Sequence, residues 1–420
     1  MIVLSHPTGN ANVRAVLDAL DRAGLLARFV TTLGWSKKSY PVLADHIHGK
    51  LRRNYAVSAD KIDIHPAREA IRLLAGSLGL LHLTAGESAW ASIDQVAQSL
   101  DREAARRLRR GDYGANVRAA YAYEDCAEQQ FTAARDLGLR RVYDLPIAYW
   151  ETSQRLLREE AQRYPKWEST LGGTRDSEAK LTRKTRELAL AELIICPSKF
   201  VVESLPPRER ATKEIILAPF GSPTVNLRDS NVRSRADNRP LRVLFAGTLT
   251  QRKGLADLFA GMKLIDSSQV ELVLMGSLLR PLVWYRKQFP HFVYQAPRAH
   301  SDVLRLMQTC DVLVLPSIVE GRALVQQEAM ASGLPVVATR NAGADDVIVE
   351  GETGFLVPIR SPEAIAEKLT WFLANRSRIT QMSVAAQRRA AHLTWRGYGE
   401  IVVRAISGLL KIGKSMPAPV

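Results

Sequence analysis

The sequence predicts an α/β protein of two domains, each built on a parallel β-sheet covered by helices. The chain has 420 residues, which exceeds the usual domain size of about 100–200 residues. In the second half, short apolar runs alternate with segments of helical periodicity, as in parallel sheets that are buried on both faces. Between the halves, residues 223–240 are polar and rich in turn formers, which is typical of a linker.

The first predicted domain spans residues 1–222. It opens with an apolar strand over 2–5 and a polar loop at 9–12, after which apolar residues recur at helical spacing. The long stretch that follows, up to residue 139, is mostly helical in pattern. Short apolar runs then predict further strands at 140–143, 193–196 and 215–217.

The second predicted domain spans residues 241–394 and has the clearer pattern. Helical periodicity is regular after Leu255. The remaining residues, 395–420, are predicted to form a helix through Leu410 and a tail. Five apolar runs predict the strands of the second sheet: 241–246, 271–275, 292–295, 311–315 and 335–338.

The formal net charge of +15 is spread evenly along the chain. Residues 1–240 contain 37 Lys and Arg against 29 Asp and Glu, and the remainder contains 21 against 14. This charge is compatible with a solvated basic surface, an anionic membrane or a phosphorylated substrate. Because there is neither a basic tail nor a recognised binding motif, a nucleic-acid-binding protein is the weaker reading and nucleic acid is not an expected partner.

Cysteine usage and the first residues predict a cytoplasmic protein. The three cysteines are widely spaced and odd in number, which disfavours both a disulfide framework and a metal cluster. The N-terminus lacks the basic flank and apolar core of a signal peptide. The longest uncharged, mostly apolar stretch, 73–86, is shorter than the roughly 20 residues that a bilayer span requires.

A first candidate anion site follows the strand at 241–246. The strand ends at Gly247, and Arg252 and Lys253 stand beside the start of the next helix. In open α/β sheets ligands bind beyond the carboxyl ends of the strands, where helix N-termini attract anions. The two cations are therefore candidates to hold a diphosphate, although a solvated Arg-Lys pair explains the same residues.

A second candidate junction follows the strand at 311–315. Glu320 precedes the next helix and can face sugar hydroxyls, whereas Glu328 lies about two turns later and can reach a ribose. Four residues of this turn can direct backbone amides at phosphate or sugar oxygens: Gly321, Arg322, Ala323 and Leu324.

The sequence around this junction resembles the retaining glycosyltransferases of family 4, within the glycosyl transferases group 1. These enzymes have the GT-B fold, in which two Rossmann-like domains face each other and a C-terminal helix crosses back to the first domain. The resemblance covers roughly residues 240–395. It rests on the Glu320–Glu328 pair, the run 329–338, the turn at Gly343, the segment 351–357, the Lys253-Gly254 step and the strand end at 274–277.

The resemblance implies transfer of a sugar, of the hexosyl type and with retained configuration, from a nucleotide-sugar donor to a saccharide or lipid-linked acceptor. It implies no metal and no cofactor besides that donor substrate, and a role in surface polysaccharide or glycolipid synthesis. By match to the motifs, Glu320 would bind the donor sugar, Glu328 the ribose, and Arg252 with Lys253 the diphosphate. The sequence departs from the usual pattern at Arg322-Ala323, where an aromatic residue and a glycine are common.

The first domain matches the family less closely. Many members end a central strand with a His-Asp step that faces the donor sugar, and the similar place here is Tyr143-Asp144. Asp144 is therefore expected to contact the reacting sugar. His6, in the opening loop, is an alternative catalytic residue, although a lone histidine more often has a structural role.

Two further alternatives remain open. A GT-B sugar-nucleotide epimerase shares the architecture, but its histidine-rich site is not apparent. Contact with an anionic membrane, on its inner face, is suggested by the apolar segment 73–83 and a cationic cluster, although helix packing explains the same residues. The cluster consists of Arg106, Arg107, Arg109 and Arg110.

Overall fold

The structure is a computed structural model that describes residues 1–36, 53–224, 239–266 and 268–412. Two parallel sheets dominate it, one in each half of the chain. Residues 225–238 of the predicted linker and 413–420 of the predicted tail lie outside the described residues.

The N-terminal sheet has seven strands in the order β5-β2-β1-β6-β7-β8-β9, and each neighbouring pair is parallel. The strands of this half, including a separate two-residue pair β3–β4, are β1 (Ile2–Ser5), β2 (Leu26–Thr31), β3 (Trp35–Ser36), β4 (Asn54–Tyr55), β5 (Ile62–Ile64), β6 (Ala119–Tyr123), β7 (Arg140–Asp144), β8 (Leu193–Cys196) and β9 (Glu214–Leu217). The helices are α1 (Ala11–Arg22), α2 (Ala67–Leu74), α3 (Ile93–Arg110), α4 (Glu128–Asp136), α5 (Trp150–Arg163), α6 (Glu178–Leu190), α7 (Lys199–Ser204) and α8 (Pro207–Thr212).

The C-terminal sheet has six parallel strands in the order β12-β11-β10-β13-β14-β15. The strands are β10 (Leu241–Ala246), β11 (Val270–Met275), β12 (Val293–Gln295), β13 (Val312–Leu315), β14 (Val336–Thr339) and β15 (Gly354–Val357). The helices are α9 (Leu255–Met262), α10 (Leu282–Gln288), α11 (His300–Met307), α12 (Leu324–Ala331), α13 (Pro362–Ala374), α14 (Arg378–His392) and α15 (Trp395–Ile412).

In both sheets, the order of the strands reverses beside the first strand of that half of the chain. The first strand of each half lies between the second and the fourth, so the crossovers on its two sides run to opposite faces. This switch point opens a crevice at the carboxyl ends of the strands, where ligands of open α/β sheets bind. In the C-terminal half the crevice lies between the loops that follow β10 and β13.

The chain crosses between the halves twice. Trp167 belongs to the short helical turn Pro165–Thr170, yet it is 4% exposed within the core of the C-terminal half, where its ring contacts Phe259, Trp284 and Tyr285. In the opposite direction, α15 packs against α1 and against the N-terminal sheet. Gly399 permits this approach, because a Cβ there would lie 2.7 Å from the Cβ of Ala19.

The strands predicted for the C-terminal half agree with the structure to within one residue at each end. The same holds for β1, β7, β8 and β9. The expectation of a mostly helical stretch up to residue 139 was wrong in part, because β2, β5 and β6 lie within it. The sequence of β6, Ala-Ala-Tyr-Ala-Tyr, is buried at every position but is rich in alanine, which favours helix when it is considered alone.

Candidate functional site

The two cations and the first glutamate of the predicted site lie together. The Nζ atom of Lys253 is 2.5 Å from Oε1 of Glu320, and Nη1 of Arg252 is 3.1 Å from the same oxygen. The loops after β10 and β13 bring these residues together because the two strands are neighbours in the sheet. Burial raises the pKa of Glu320, but the charges of Lys253 and Arg252 outweigh it, so that the pKa is lowered and the group is a carboxylate at neutral pH.

Two glycines allow the loops around this cluster to approach closely. Gly247 has a φ of 134°, and the stem of Lys253 covers it, since a Cβ there would lie 3.0 Å from Cε of Lys253. A Cβ on Gly276 would lie 1.8 Å from the carbonyl oxygen of Gly247. Larger residues at these positions would displace the lysine or separate the strand ends.

The loop that carries Arg252 and Lys253 is tied to the N-terminal half. The Thr250 hydroxyl donates to the Thr170 carbonyl at 2.5 Å, and the Gln251 amide donates to the Thr170 hydroxyl at 3.1 Å. The Gln251 side chain donates to both Glu160 and Asp257, at 2.7 and 2.8 Å. The segment that inserts Trp167 into the C-terminal core therefore also fixes the backbone of the cationic loop.

Gly321 forms a close contact between the carboxyl edges of the two sheets. A Cβ on Gly321 would lie 1.7 Å from the carbonyl oxygen of Pro146. The Ser198 hydroxyl donates to the Gly321 carbonyl at 2.7 Å. The turn after Glu320 therefore needs a residue without a side chain where it meets the loops after β7 and β8.

Arg322 is buried in this contact, and its side chain is directed to the loop after β8 and to Asp346. Its guanidinium donates to the Pro197 carbonyl at 2.8 Å and lies 3.4 Å from a carboxylate oxygen of Asp346. Burial lowers the pKa of Arg322 to about 10, and the charge of Asp346 opposes that change. Any contact of Arg322 with a diphosphate would therefore come from its backbone amide.

The remaining amides of this turn differ in their bonding. The Ala323 amide donates to the Ala342 carbonyl at 3.1 Å, so it is occupied in this arrangement, contrary to the expectation that it points at a ligand. Leu324 begins α12 and packs partly against the apolar cluster of the N-terminal domain. Fewer backbone amides of this turn are therefore open to a ligand than the sequence suggested.

Glu328 lies on α12 and is partly exposed, with a partner that the sequence did not indicate. Its Oε1 atom is 3.0 Å from Nε2 of His300, the first residue of α11. His300 leaves the second carboxylate oxygen of Glu328 for another donor. The pair could not be found from spacing, because His300 precedes Glu328 by 28 residues on a different helix.

Asp144 is not brought together with the charged cluster. It is 1% exposed, and its Oδ2 atom accepts from the hydroxyls of Tyr121 at 2.7 Å and Tyr398 at 3.2 Å. Burial raises the pKa of Asp144 to about 7, although the tyrosine hydroxyls act in the opposite direction. Its carboxylate bonds the crossover helix to the N-terminal sheet and is closed to a sugar in this arrangement.

His6 is also held by the protein rather than presented to a ligand. Its Nδ1 atom accepts from the backbone amides of Thr8 and Gly9 at 3.0 and 2.9 Å, and its ring packs edge-on against Tyr123. Burial and the charge of Arg53 lower the pKa of His6 to about 3. The ring is therefore neutral near pH 7, and because Nδ1 accepts, Nε2 carries the proton. In this form His6 has no free basic nitrogen.

Comparison with known proteins identifies the family of the C-terminal region. Residues 228–389 match the family model described as glycosyl transferases group 1. The match covers the C-terminal half of the chain and makes this region similar to the glycosyl transferases of group 1. The matched range includes all five residues of the candidate donor site: Arg252, Lys253, Glu320, Glu328 and His300.

Curated relatives of the group 1 region share only part of their length with this chain. A D-inositol 3-phosphate glycosyltransferase from Corynebacterium diphtheriae is 40% identical over 104 residues, which are 25% of this chain and 24% of the relative. The capsular polysaccharide biosynthesis glycosyltransferase CapM of Staphylococcus aureus is 33% identical over 140 residues, 32% of this chain and 37% of CapM. The chain thus spans about a quarter to a third of the length of these relatives.

Solved structures match the whole chain. Sucrose-phosphate synthase from Thermosynechococcus elongatus superposes with a TM-score of 0.65 at 18% identity, covering 98% of this chain and 99% of the synthase. HepE of Anabaena in complex with UDP-glucose superposes with a TM-score of 0.59 at 16% identity, covering 97% and 99%. The architecture of this protein, two Rossmann-like domains with a returning C-terminal helix, is GT-B.

Proposed function

We propose that this protein is a glycosyltransferase that moves a sugar from a nucleoside diphosphate sugar to a saccharide or lipid-linked acceptor. The observation that carries the proposal is the cluster of Lys253, Arg252 and Glu320 at the switch point of the C-terminal sheet. A diphosphate and a sugar are the two chemical groups that such a set of two cations and one carboxylate can bind side by side.

The ion pairs of the cluster suggest how a donor would bind. Without a ligand, Glu320 forms ion pairs with both cations, and its single negative charge leaves one positive charge of the cluster uncompensated. A diphosphate would replace the carboxylate as their partner, and Glu320 would then accept hydrogen bonds from the hydroxyls of the donor sugar. As the glycosidic bond breaks, negative charge develops on the departing diphosphate, and Lys253 and Arg252 would stabilise it.

Glu328 is proposed to bind the ribose of the same donor. A carboxylate can accept from two neighbouring hydroxyls, and the contact from His300 orients the side chain while leaving one oxygen for the ligand. Since HepE and an α,α-trehalose-phosphate synthase described as UDP-forming share the fold, UDP-sugars are the first donors to test.

The finer parts of the proposal rest on the family resemblance. They are transfer of a hexosyl group with retained configuration, independence from metal ions, and a role in surface polysaccharide or glycolipid synthesis. The proposed role in surface polysaccharide synthesis is supported by the relative CapM, whose name assigns it to capsular polysaccharide biosynthesis. Among the described residues, no group of three or more His, Cys, Asp or Glu side chains is placed to hold a metal ion.

The experiment is a thermal-shift titration with UDP-, GDP-, ADP- and TDP-sugars, followed by a transfer assay with the donor that binds. A ligand that binds only the native state raises the melting temperature by mass action. We expect one nucleotide family to stabilise the protein, and Lys253→Met and Glu328→Gln to weaken that response by about tenfold in ligand concentration.

Two exposed residues of the same domain supply matched controls. Lys287→Met and Glu352→Gln change the same charges outside the cluster and should leave the titration unaltered. If all four variants respond to donor like the original protein, the cluster is not the donor site. If a donor binds and is converted in the absence of any acceptor, an epimerase explains the chain better than a transferase.

A further inference from the structure

Exposed apolar side chains are concentrated in one part of the N-terminal domain. In the described part of the chain, thirteen large apolar residues are strongly exposed, and six of them fall within residues 64–93. The most exposed is Ile93, at 76%. The six are Ile64, Leu74, Leu78, Leu81, Trp90 and Ile93, and we call them the apolar patch. Single exposed apolar residues are ordinary, but a cluster of this kind marks an interaction surface.

The patch lies on an ordered excursion of the chain. It runs from the last residue of β5 through α2 and the short turn Leu81–Leu83 to the first residue of α3. The Leu80 amide donates to the Ala75 carbonyl, and the Ala91 amide donates to the Leu83 carbonyl, both at 2.8 Å. Because the backbone is bonded to itself in this way, the apolar side chains are held outward by a folded element.

Two arginines lie beside the patch, and neither has an acidic partner in the part of the chain that the structure describes. The guanidinium of Arg68 lies 4.7 Å from the centre of the Trp90 ring, and it also donates to the Trp90 carbonyl. Burial and the nearby charge of Arg102 lower the pKa of Arg68. Among the described residues, no carboxylate forms an ion pair with either arginine, and Arg102 has Gln98 as its neighbour at 3.4 Å.

The acidic residues of the same segment are already engaged. Residues 64–93 contain two of them, Glu69 and Glu87. Glu69 is buried and pairs with Arg53 and Arg72. Glu87 accepts from the backbone amide and the hydroxyl of Ser177 at the start of α6. The surface therefore presents leucines, a tryptophan and two unneutralised guanidinium groups.

We propose that the apolar patch, together with Arg68 and Arg102, binds the surface of a membrane that contains anionic lipid. A tryptophan beside cations suits the boundary between headgroups and acyl chains, since the ring is apolar with one polar edge. The leucines enter that boundary, and the guanidinium groups bind lipid phosphates. No helix in the described part of the chain is long and apolar enough to span a bilayer.

This surface shares the apolar segment 73–83 with the one that the sequence suggested, but its cations are different. Arg106 lies about 20 Å along α3 from Ile93, at 1.5 Å per residue. Arg106 and Arg107 bond to Glu103, and Arg107 also pairs with Asp63. Half of the predicted cationic cluster is therefore already paired with carboxylates of the same domain. The cations that accompany the apolar side chains are Arg68 and Arg102.

The membrane proposal is independent of the donor site, because vesicle binding requires no nucleotide. The test measures flotation of the purified full chain with vesicles of phosphatidylcholine alone and of phosphatidylcholine mixed with phosphatidylglycerol. We expect binding to the anionic vesicles only. Leu78→Ser combined with Leu81→Ser, and separately Arg68→Gln combined with Arg102→Gln, should each reduce the partition coefficient by about tenfold.

Matched control variants distinguish vesicle binding by this surface from nonspecific hydrophobic adsorption and from nonspecific electrostatic attraction. Leu264→Ser with Val283→Ser removes two equally exposed apolar side chains from the C-terminal domain. Arg109→Gln with Arg110→Gln removes two exposed charges from the far end of α3. Both pairs should bind vesicles like the original chain, and all variants should keep the donor thermal shift.

Three results would overturn the proposal. One is failure of the original chain to float with either vesicle, and another is equal loss of binding in the control pairs. The third is a concentration-dependent dimer in solution that the Leu78→Ser, Leu81→Ser variant abolishes while vesicle binding is absent, which would assign the patch to a second copy of the chain.

Discussion

The two sheets of this protein share one strand order but differ in the chemistry at their carboxyl edges. In the C-terminal half, the edge carries Lys253, Arg252 and Glu320, and the single carboxylate forms direct ion pairs with both cations. In the N-terminal half, the corresponding residues His6 and Asp144 are bonded to backbone amides and tyrosine hydroxyls inside the domain.

This difference shows that topology alone does not make a reactive site. A switch point supplies a crevice, but the residues that line it decide whether charge faces the ligand. In the C-terminal crevice a ligand can exchange with an existing ion pair. In the N-terminal crevice, His6 and Asp144 already accept hydrogen bonds from the opening loop, the sheet and the crossover helix, so they serve the packing of these elements.

The largest expected effect concerns the charged edge. Glu320→Gln keeps the shape of the side chain but removes its charge, and we expect kcat/KM for sugar transfer to fall by on the order of 10²–10³-fold. Steady-state kinetics with the donor identified by thermal shift measures this. Glu352→Gln is the control, and a loss below tenfold in Glu320→Gln would show that the carboxylate is not needed for transfer.

The second largest effect is expected at the contact between the carboxyl edges of the two sheets. Arg322→Met removes a buried guanidinium that bonds to Pro197 and faces Asp346, and we expect the free energy of unfolding to fall by about 2 kcal/mol. Urea unfolding of Arg322→Met and of the exposed control Arg305→Met measures it. Unchanged stability of Arg322→Met would mean that the two edges are not held together through this residue.

At the carboxyl edge of the N-terminal sheet, Asp144 should make the free energy of unfolding depend on pH. The pKa of Asp144 is raised from 3.8 to about 7 in the folded state, so the stability it contributes is present at low pH and is lost as pH rises through 7. Asp144→Asn removes this loss. Relative to the original chain, the variant should gain on the order of 2–3 kcal/mol in unfolding free energy between about pH 5 and pH 8.

Urea unfolding at the two pH values measures that difference, with the exposed Asp302→Asn as control. A constant difference between Asp144→Asn and the original chain would show that Asp144 does not titrate in this range. A loss of transfer activity without any change in stability would return Asp144 to the role of a sugar contact.

The smallest effect is expected at His6. Its pKa of about 3 and its two accepted hydrogen bonds exclude proton transfer near neutral pH, so His6→Asn should keep kcat within about threefold and leave the pH–rate profile unchanged in shape. Rate measurements across the neutral range decide this. A drop of about a hundredfold, with loss of one limb of the profile, would make His6 a general acid or base.

The sequence predicted the C-terminal half better than the N-terminal half for a physical reason. Strands of a sheet covered on both faces are continuous apolar runs, and those of β10, β11 and β13 are easily recognised. The alanines of β6 and the arginine within β2 break that pattern, because neighbouring elements rather than local propensity bury these strands.

The candidate site was predictable where it depends on adjacent strand ends. Lys253 and Glu320 are 67 residues apart, yet they follow two strands that a doubly wound sheet places side by side. The contacts of Thr170 and Ser198 depend instead on how the halves meet, which no local pattern encodes. The roles of these residues toward a donor stay predictions.

The insertion of Trp167 bears on how this protein can be recombined with its relatives. A chimera joined at the polar stretch 223–240 would take that tryptophan from one parent and its aromatic partners, Phe259, Trp284 and Tyr285, from the other. The same joint would also separate α15 from the sheet that it covers. A functional exchange of donor specificity must therefore transplant three pieces of chain: the group 1 region, the segment that carries Trp167, and a returning helix matched to the recipient sheet.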